Sequence, residues 1–162
     1  MDYIKYKGMT YPKYLSEGNA MQFILPFAKK FCVGWGYDIG CMKKEWAIPG
    51  AIPIDKSFKN GWDATHLPKK GANYIFSSHC LEHLDNWVEV LDYWTETLWF
   101  NGTLFLYLPC YDHVYWRPWN DRRHKNIFTP QIIRDYMESR NYINIFSSDR
   151  DLNDSFAVVG EK

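Results

Sequence analysis

"GYDIGCMKKEWAIPGAIPID", residues 36–55, decides how this chain is read. A run into Asp38-Ile39-Gly40 has the pattern of a buried strand ending in a glycine turn. A second short apolar run, Ala51 to Ile54, ends on Asp55. Strand, glycine turn, crossover, strand and terminal acid is the plan of a nucleotide-type pocket in an α/β sheet, where ligands bind beyond the carboxyl ends of the strands. Only ten residues, Met42 to Ala51, make the crossover, and Pro49 and Gly50 are among them. That leaves room for about one or two helical turns at ~3.6 residues each. Met42 stands where the second glycine of a G-x-G would fall. A pyrophosphate cradle needs that glycine pattern, so a dinucleotide cofactor and NAD-type oxidoreduction are disfavoured. One glycine for close approach and one acid for a ribose fit a ligand with a ribose and no phosphate. S-adenosylmethionine is the candidate.

Working outward, the other elements alternate. Ser16 is placed to cap a helix reaching about Phe31, with Pro26 interrupting it. "ANYIFSS", 72–78, reads as a buried strand. Helical spacing follows, from Leu84 through Trp87, Leu91, Trp94 and Leu98 to Phe100, and Asn101-Gly102 stops it. "TLFLYLP", 103–109, is the strongest strand signal. Thr129-Pro130 opens a helix to about Arg140, and "INIFSS" and "SFAVVG" close the chain as strands. Pro53 cannot donate to a ladder, so the 51–54 strand belongs at a sheet edge. No strand is expected over 56–72. The pattern predicts an α/β, Rossmann-like three-layer sandwich. Its sheet has about six mostly parallel strands and a C-terminal antiparallel strand, with the first helix and third strand reduced.

The 162 residues are expected to form one domain. Residues 1–32 would be an N-terminal helical cap, and 33–162 the core, with a lid loop over 110–126. Lys plus Arg balance Asp plus Glu at 19 each, and no basic stripe appears. Nucleic-acid binding is therefore disfavoured. No run of about 18 apolar residues suits a membrane span. Residues 1–7 lack a signal-peptide core, which gives a cytoplasmic expectation. The four cysteines, at 32, 41, 80 and 110, form no C-x-x-C pair. They read as free thiols, and no metal site is expected.

Five segments carry a resemblance. "YDIGC" resembles the glycine motif of class I S-adenosylmethionine-dependent methyltransferases, specifically the small "LEH"-motif (methyltransferase type 11-like) group. "DATHLP", 63–68, resembles the acidic stretch that faces the adenine. "YIFSSHCLEHLDNW", 74–87, resembles the fourth-strand motif and the helix after it. "NGTLFLYLP" and "RRHKNIFTPQIIRDYMESRNY" resemble the fifth-strand and "H-x-x-x-F-T" stretches. "GCMKKEWAIPG" is similar to a family variant in which a short link replaces the first helix. The resemblance covers about residues 33–145. It implies a cofactor site at Asp38, Gly40, Cys41, Asp55, Asp63, Ala64, Ser78 and His79, with the ribose on Asp55.

The 110–126 loop is rich in rings and cations. Tyr111, Tyr115, Trp116, Arg122 and Arg123 are the expected substrate wall, with Arg for an anionic or carbonyl group. His79, His113 and His124 are candidate proton acceptors. Glu82 and His83 read as residues that fix a local turn. The expected activity is O- or N-methylation of a small, anionic acceptor. The alternative is an inactive, methyltransferase-like binding protein, which Met42 favours. Oligomeric state is left open.

Overall fold

A computed structural model describes residues 2–6, 8–13, 19–111 and 123–162. Ser16 lies outside them. Eight strands and three α-helices are described. A hairpin of β1 (Tyr3–Tyr6) and β2 (Met9–Pro12) stands apart from the main sheet. The helical cap expected over 1–32 is thus part β. Its only described α-helix, α1 (Met21–Ala28), carries Pro26 within it.

The main sheet contains β3 (Gly36–Ile39), β4 (Ile52–Ile54), β5 (Ala72–Ser78), β6 (Leu98–Pro109), β7 (Ile143–Ser147) and β8 (Ser155–Glu161). Their order is β4-β3-β5-β6-β8-β7. The first four are mutually parallel, and β8 runs antiparallel to both β6 and β7. The edge position expected for Pro53 is observed, opposite Asp38. The 42–51 crossover holds a single 3-10 turn, Lys44–Trp46, in place of a helix. Between β4 and β5 the described chain makes one isolated bridge, Asp63 to His66, and no strand.

The pleat sorts side chains to two faces. Ile75, Leu104, Leu106 and Leu108 point into a core with α2 (Trp87–Thr97) and α3 (Pro130–Ser139). Tyr74, Phe76, Phe105 and Tyr107 pack on the other side with Ile24 and Ala28 of α1. The result is the expected three-layer sandwich. Thr129 caps α3, its side chain accepting from the Ile132 amide, with Pro130 at the first helical position.

The sequence reading of α2 overran at both ends. Residues 81–83 form a separate 3-10 turn, and Leu84 is already extended. At the far end Leu98 pairs with Ala72, and the Asn101 amide bonds the Lys162 carbonyl. Sheet pairing thereby takes residues 98–101 out of the helix their spacing favoured, and β6 starts five residues before the strand expected at 103. Among the described residues no helix is long and apolar enough to cross a membrane.

Candidate active site

The ends of β3 and β5 converge on one pocket. β3 ends at Ile39, and Gly40 follows with φ +84°. A Cβ on Gly40 would lie 2.4 Å from Cys80 Cβ. Gly40 is therefore required twice, by its left-handed backbone and by the passage of the loop after β5. Cys41 is buried behind it, its thiol toward the Ile54 carbonyl.

Met42 also has a positive φ, 61°. Only glycine adopts this conformation freely; other residues lose about 1–2 kcal/mol there. The strained turn is held from β4: the Met42 amide donates to Asp55 Oδ2 at 2.9 Å, and the Ser57 amide donates to Asp55 Oδ1 at 2.8 Å. Asp55 thus anchors the glycine turn as well as ending β4.

Asp38 is buried on β3 and accepts from the Ile48 amide at 2.8 Å. Burial pushes its carboxyl up to about 7, against the pull of that amide. Burial also pushes the Cys32, Cys41 and Cys80 thiols up to about 12, with the charge of Asp38 adding to it. These thiols are poor nucleophiles at neutral pH.

Beyond β5, His79 has φ 50°. Its Nε2 lies 2.9 Å from the hydroxyl of Ser155, which the β6–β8 register brings opposite Pro109. Its Nδ1 lies 3.7 Å from Glu82 Oε1. Glu82 is 1% exposed, and neither carboxyl oxygen has a hydrogen-bond partner in another described residue. Burial pushes this carboxyl up to about 8, opposed only by its own backbone amide.

A strap crosses the 81–83 turn. The Lys125 and Asn126 amides donate to the Glu82 carbonyl, and Asn126 Nδ2 reaches the Leu84 carbonyl. Arg123 and His124 are carried in with it. The Arg123 carbonyl is 2.8 Å from His83 Nδ1, and the His83 and His124 rings meet edge to face at 4.9 Å. Burial keeps the His83 pKa below its usual value, despite the Arg123 carbonyl, and nearby Arg123, Lys56 and Lys125 add to the effect.

Asp38, Gly40, Cys41, Ser78, His79 and His124 all line this pocket, whose volume is about 180 Å³. Arg123 lines it as well, as do Asn19, Met42 and Trp46, which the sequence reading did not assign to the site. Glu82 and His83 belong to it too. The sequence reads them as turn residues; the burial of Glu82 and its lack of hydrogen-bond partners among the described residues are not visible there. The spacing His79-x-x-Glu82-His83 was the available signal.

Other expected residues lie apart. Asp55 meets the pocket only through Met42. Asp63 Oδ1 accepts from the amide and hydroxyl of Thr65, and the Ala64 carbonyl accepts from Trp94 Nε1 at 2.7 Å. A shallower groove bordered by Lys56 and Thr65, the neighbours of Asp55 and Ala64, shares His83 with the pocket. Tyr111 is exposed at the end of β6. His113, Tyr115, Trp116 and Arg122 lie outside the described residues.

A methyltransferase-domain family model matches residues 17–145. The chain belongs to that family. No curated protein matches the sequence significantly. Solved structures share the fold at low identity. One is a SAM-dependent methyltransferase from Archaeoglobus fulgidus: TM-score 0.64, 16% identity, 91% of this chain and 94% of that one. Another is the 1,6-didemethyltoxoflavin-N1-methyltransferase of Burkholderia thailandensis: TM-score 0.65, 11% identity, 93% and 81%. A third is human N-acetylserotonin methyltransferase: TM-score 0.62, 11% identity, 92% of this chain but 55% of that one. Against that human enzyme the chain spans about half the length. The fold is that of the class I S-adenosylmethionine-dependent methyltransferases, as the ordered motifs implied.

Within this family fold, Met42 is the feature that departs from the glycine turn. Met42→Gly is expected to stabilise the protein by about 1 kcal/mol, because the left-handed strain is relieved and the side chain is already 57% exposed. Urea denaturation checks this; a loss of stability would mean that the Met42 side chain holds the turn.

Proposed function

We propose that this protein transfers a methyl group from S-adenosylmethionine to oxygen or nitrogen of a small acceptor. The observation that carries the reading is the pocket beyond β3 and β5, where Asn19 Oδ1 and Ser78 Oγ are buried with no partner among the described residues. Buried polar atoms without partners are costly, and a ligand with an amino acid end offers groups to satisfy them. Asp55, Asp63 and Ala64 are proposed for the adenosine end, along the groove that meets the pocket at His83. Asp38, Gly40, Cys41, Ser78 and His79 are proposed for the other end.

S-adenosylmethionine supplies an electrophilic methyl carbon on a sulfonium. The chain must then align an acceptor in line with that carbon and exclude water. His79 and His124 are proposed to take the proton that an oxygen or nitrogen acceptor releases. Arg123, brought to the pocket by the strap, supports an acceptor with a negative charge. His113, Tyr115, Trp116 and Arg122 remain proposed parts of the acceptor wall. The reading extends to a cytoplasmic enzyme that is a single domain over 1–162.

A non-catalytic binding role is the second reading, favoured by the strained Met42 on the pocket wall. Calorimetry with S-adenosylmethionine, S-adenosylhomocysteine and NAD tests both. S-adenosylhomocysteine is expected to bind and NAD not. Asp55→Ala is expected to weaken binding by about 1–3 kcal/mol, because it removes a ribose partner and the anchor of the Met42 turn. Binding of neither sulfur compound would remove the enzyme reading.

A further inference from the structure

We propose that Glu82, His83 and His124 form a binding site for one divalent transition-metal cation. One carboxylate oxygen of Glu82 and a ring nitrogen from each histidine lie within 4.8 Å of one another. Glu82 Oε1 and His83 Nε2 are 3.7 Å apart. An ion held tetrahedrally at ~2.1 Å keeps its ligands about 3.4 Å apart, so this pair needs to close by only a few tenths of an ångström.

Three features point to an ion rather than to an ordinary turn. The first is Glu82 itself, 1% exposed with both oxygens lacking a partner in another described residue. A buried carboxyl is normally paired, hydrogen-bonded or bound to a metal. The second is the outer hydrogen bond of His83. Its Nδ1 donates to the Arg123 carbonyl at 2.8 Å, which leaves the lone pair on Nε2, the nitrogen turned toward Glu82. Metal-bound histidines commonly have their other nitrogen fixed in this way. The third is the strap at 123–126, which holds His124 against the turn through two amides on the Glu82 carbonyl.

Two imidazoles and one carboxylate select Zn²⁺, Mn²⁺, Fe²⁺ or Co²⁺ over hard, all-oxygen cations. The absence of a cysteine motif is no obstacle, since the donors here are nitrogen and oxygen. His79, with Nδ1 3.7 Å from Glu82 Oε1, flanks the site and lines the same pocket. An ion there would leave coordination positions open for an oxygen ligand.

The test uses the whole chain after chelation. Zn²⁺, Mn²⁺ and Co²⁺ are titrated by calorimetry, and Co²⁺ also by its visible ligand-field bands. One ion per chain is expected, with Kd of about 10 μM or tighter for Zn²⁺. Glu82→Gln and His124→Ala should each weaken binding at least tenfold. His66→Ala, at a histidine stacked on Trp62, should leave it unchanged. Circular dichroism confirms that each variant is folded. No saturable binding of any of the three ions overturns the proposal, as does binding unaffected by both Glu82→Gln and His124→Ala. Metal binding does not depend on the methyl-transfer reading. S-adenosylhomocysteine titration of the same samples reports on that reading separately.

Discussion

Glu82→Gln should stabilise the chelated protein by about 4 kcal/mol at pH 8, since a shift of one pKa unit is worth ~1.4 kcal/mol. The wild-type carboxyl has its ordinary value of 4.5 when unfolded and about 8 when folded. Between those values the folded state holds a proton that the unfolded state has released. Stability is therefore full below the unfolded value and falls as pH rises through the folded one. Asp38, held at about 7 against an ordinary 3.8, acts with the same sign. His83 acts the other way, because its pKa is lowered from 6.5. Its contribution grows with pH and is complete near 6.5. Between pH 6.5 and 8 the two acids act unopposed. The wild type should lose about 2 kcal/mol over that window. Glu82→Gln should lose less than half as much. Urea midpoints at the two pH values measure it. A flat wild-type profile would show that Glu82 is charged when folded, with a counter-ion beside it.

Trp94→Ala should cost about 3–5 kcal/mol, the usual range for removing a buried large aromatic side chain. Trp94 is fully buried between α2 and the sheet. Its Nε1 donates at 2.7 Å to the Ala64 carbonyl, so the same side chain fills the core and ties down the 63–66 turn. The melting temperature should fall by about 10 °C, at the 2–4 °C per kcal/mol typical of this chain length. Trp94→Phe separates the two roles: it keeps most of the packing and loses the tether. Its melting loss should be less than half that of Trp94→Ala, while S-adenosylhomocysteine affinity falls to a similar extent in both. An unchanged affinity in Trp94→Phe would detach the 63–66 turn from the cofactor site.

Much of this fold was legible because local signals and tertiary demands agree. Thr129-Pro130 reads as a helix start and is one, since cap and first-turn chemistry are local. Pro53 marks the sheet edge for an equally local reason, its missing donor. "ANYIFSS" is a strand from end to end. Legibility failed where distant partners decide. Residues 98–101 follow helical spacing, but Ala72 and Lys162 claim their backbone. The β1–β2 hairpin has four-residue strands and a turn at Gly8, with Tyr3 and Met9 exposed. So short and exposed a pair carries almost no periodic signal. Gly40 declared itself by position at the pocket, and Asp55 as the acid that ends β4, where it holds the Met42 turn. Glu82 did not, because a carboxylate at the head of a helix is ordinary and only burial makes it unusual. Met42 was visible as a missing glycine, and its retained left-handed backbone was not.

The placing of β8 between β6 and β7 has a consequence for synthesis on the ribosome. Strand β6 carries Leu104 to Leu108, all fully buried in the finished sheet. One of its edges is covered by β5 as soon as both have emerged. The other edge is covered only by residues 155–161, which are translated nearly sixty residues after β6 begins. Until then the nascent chain presents an apolar, unpaired edge, the feature that seeds association between chains. Strand β7 gives no relief, since it pairs with β8 and not with β6. The sheet is complete only once residues 155–161 have left the ribosome. A ribosome-stalled chain ending before residue 155 would depend on a chaperone to stay soluble.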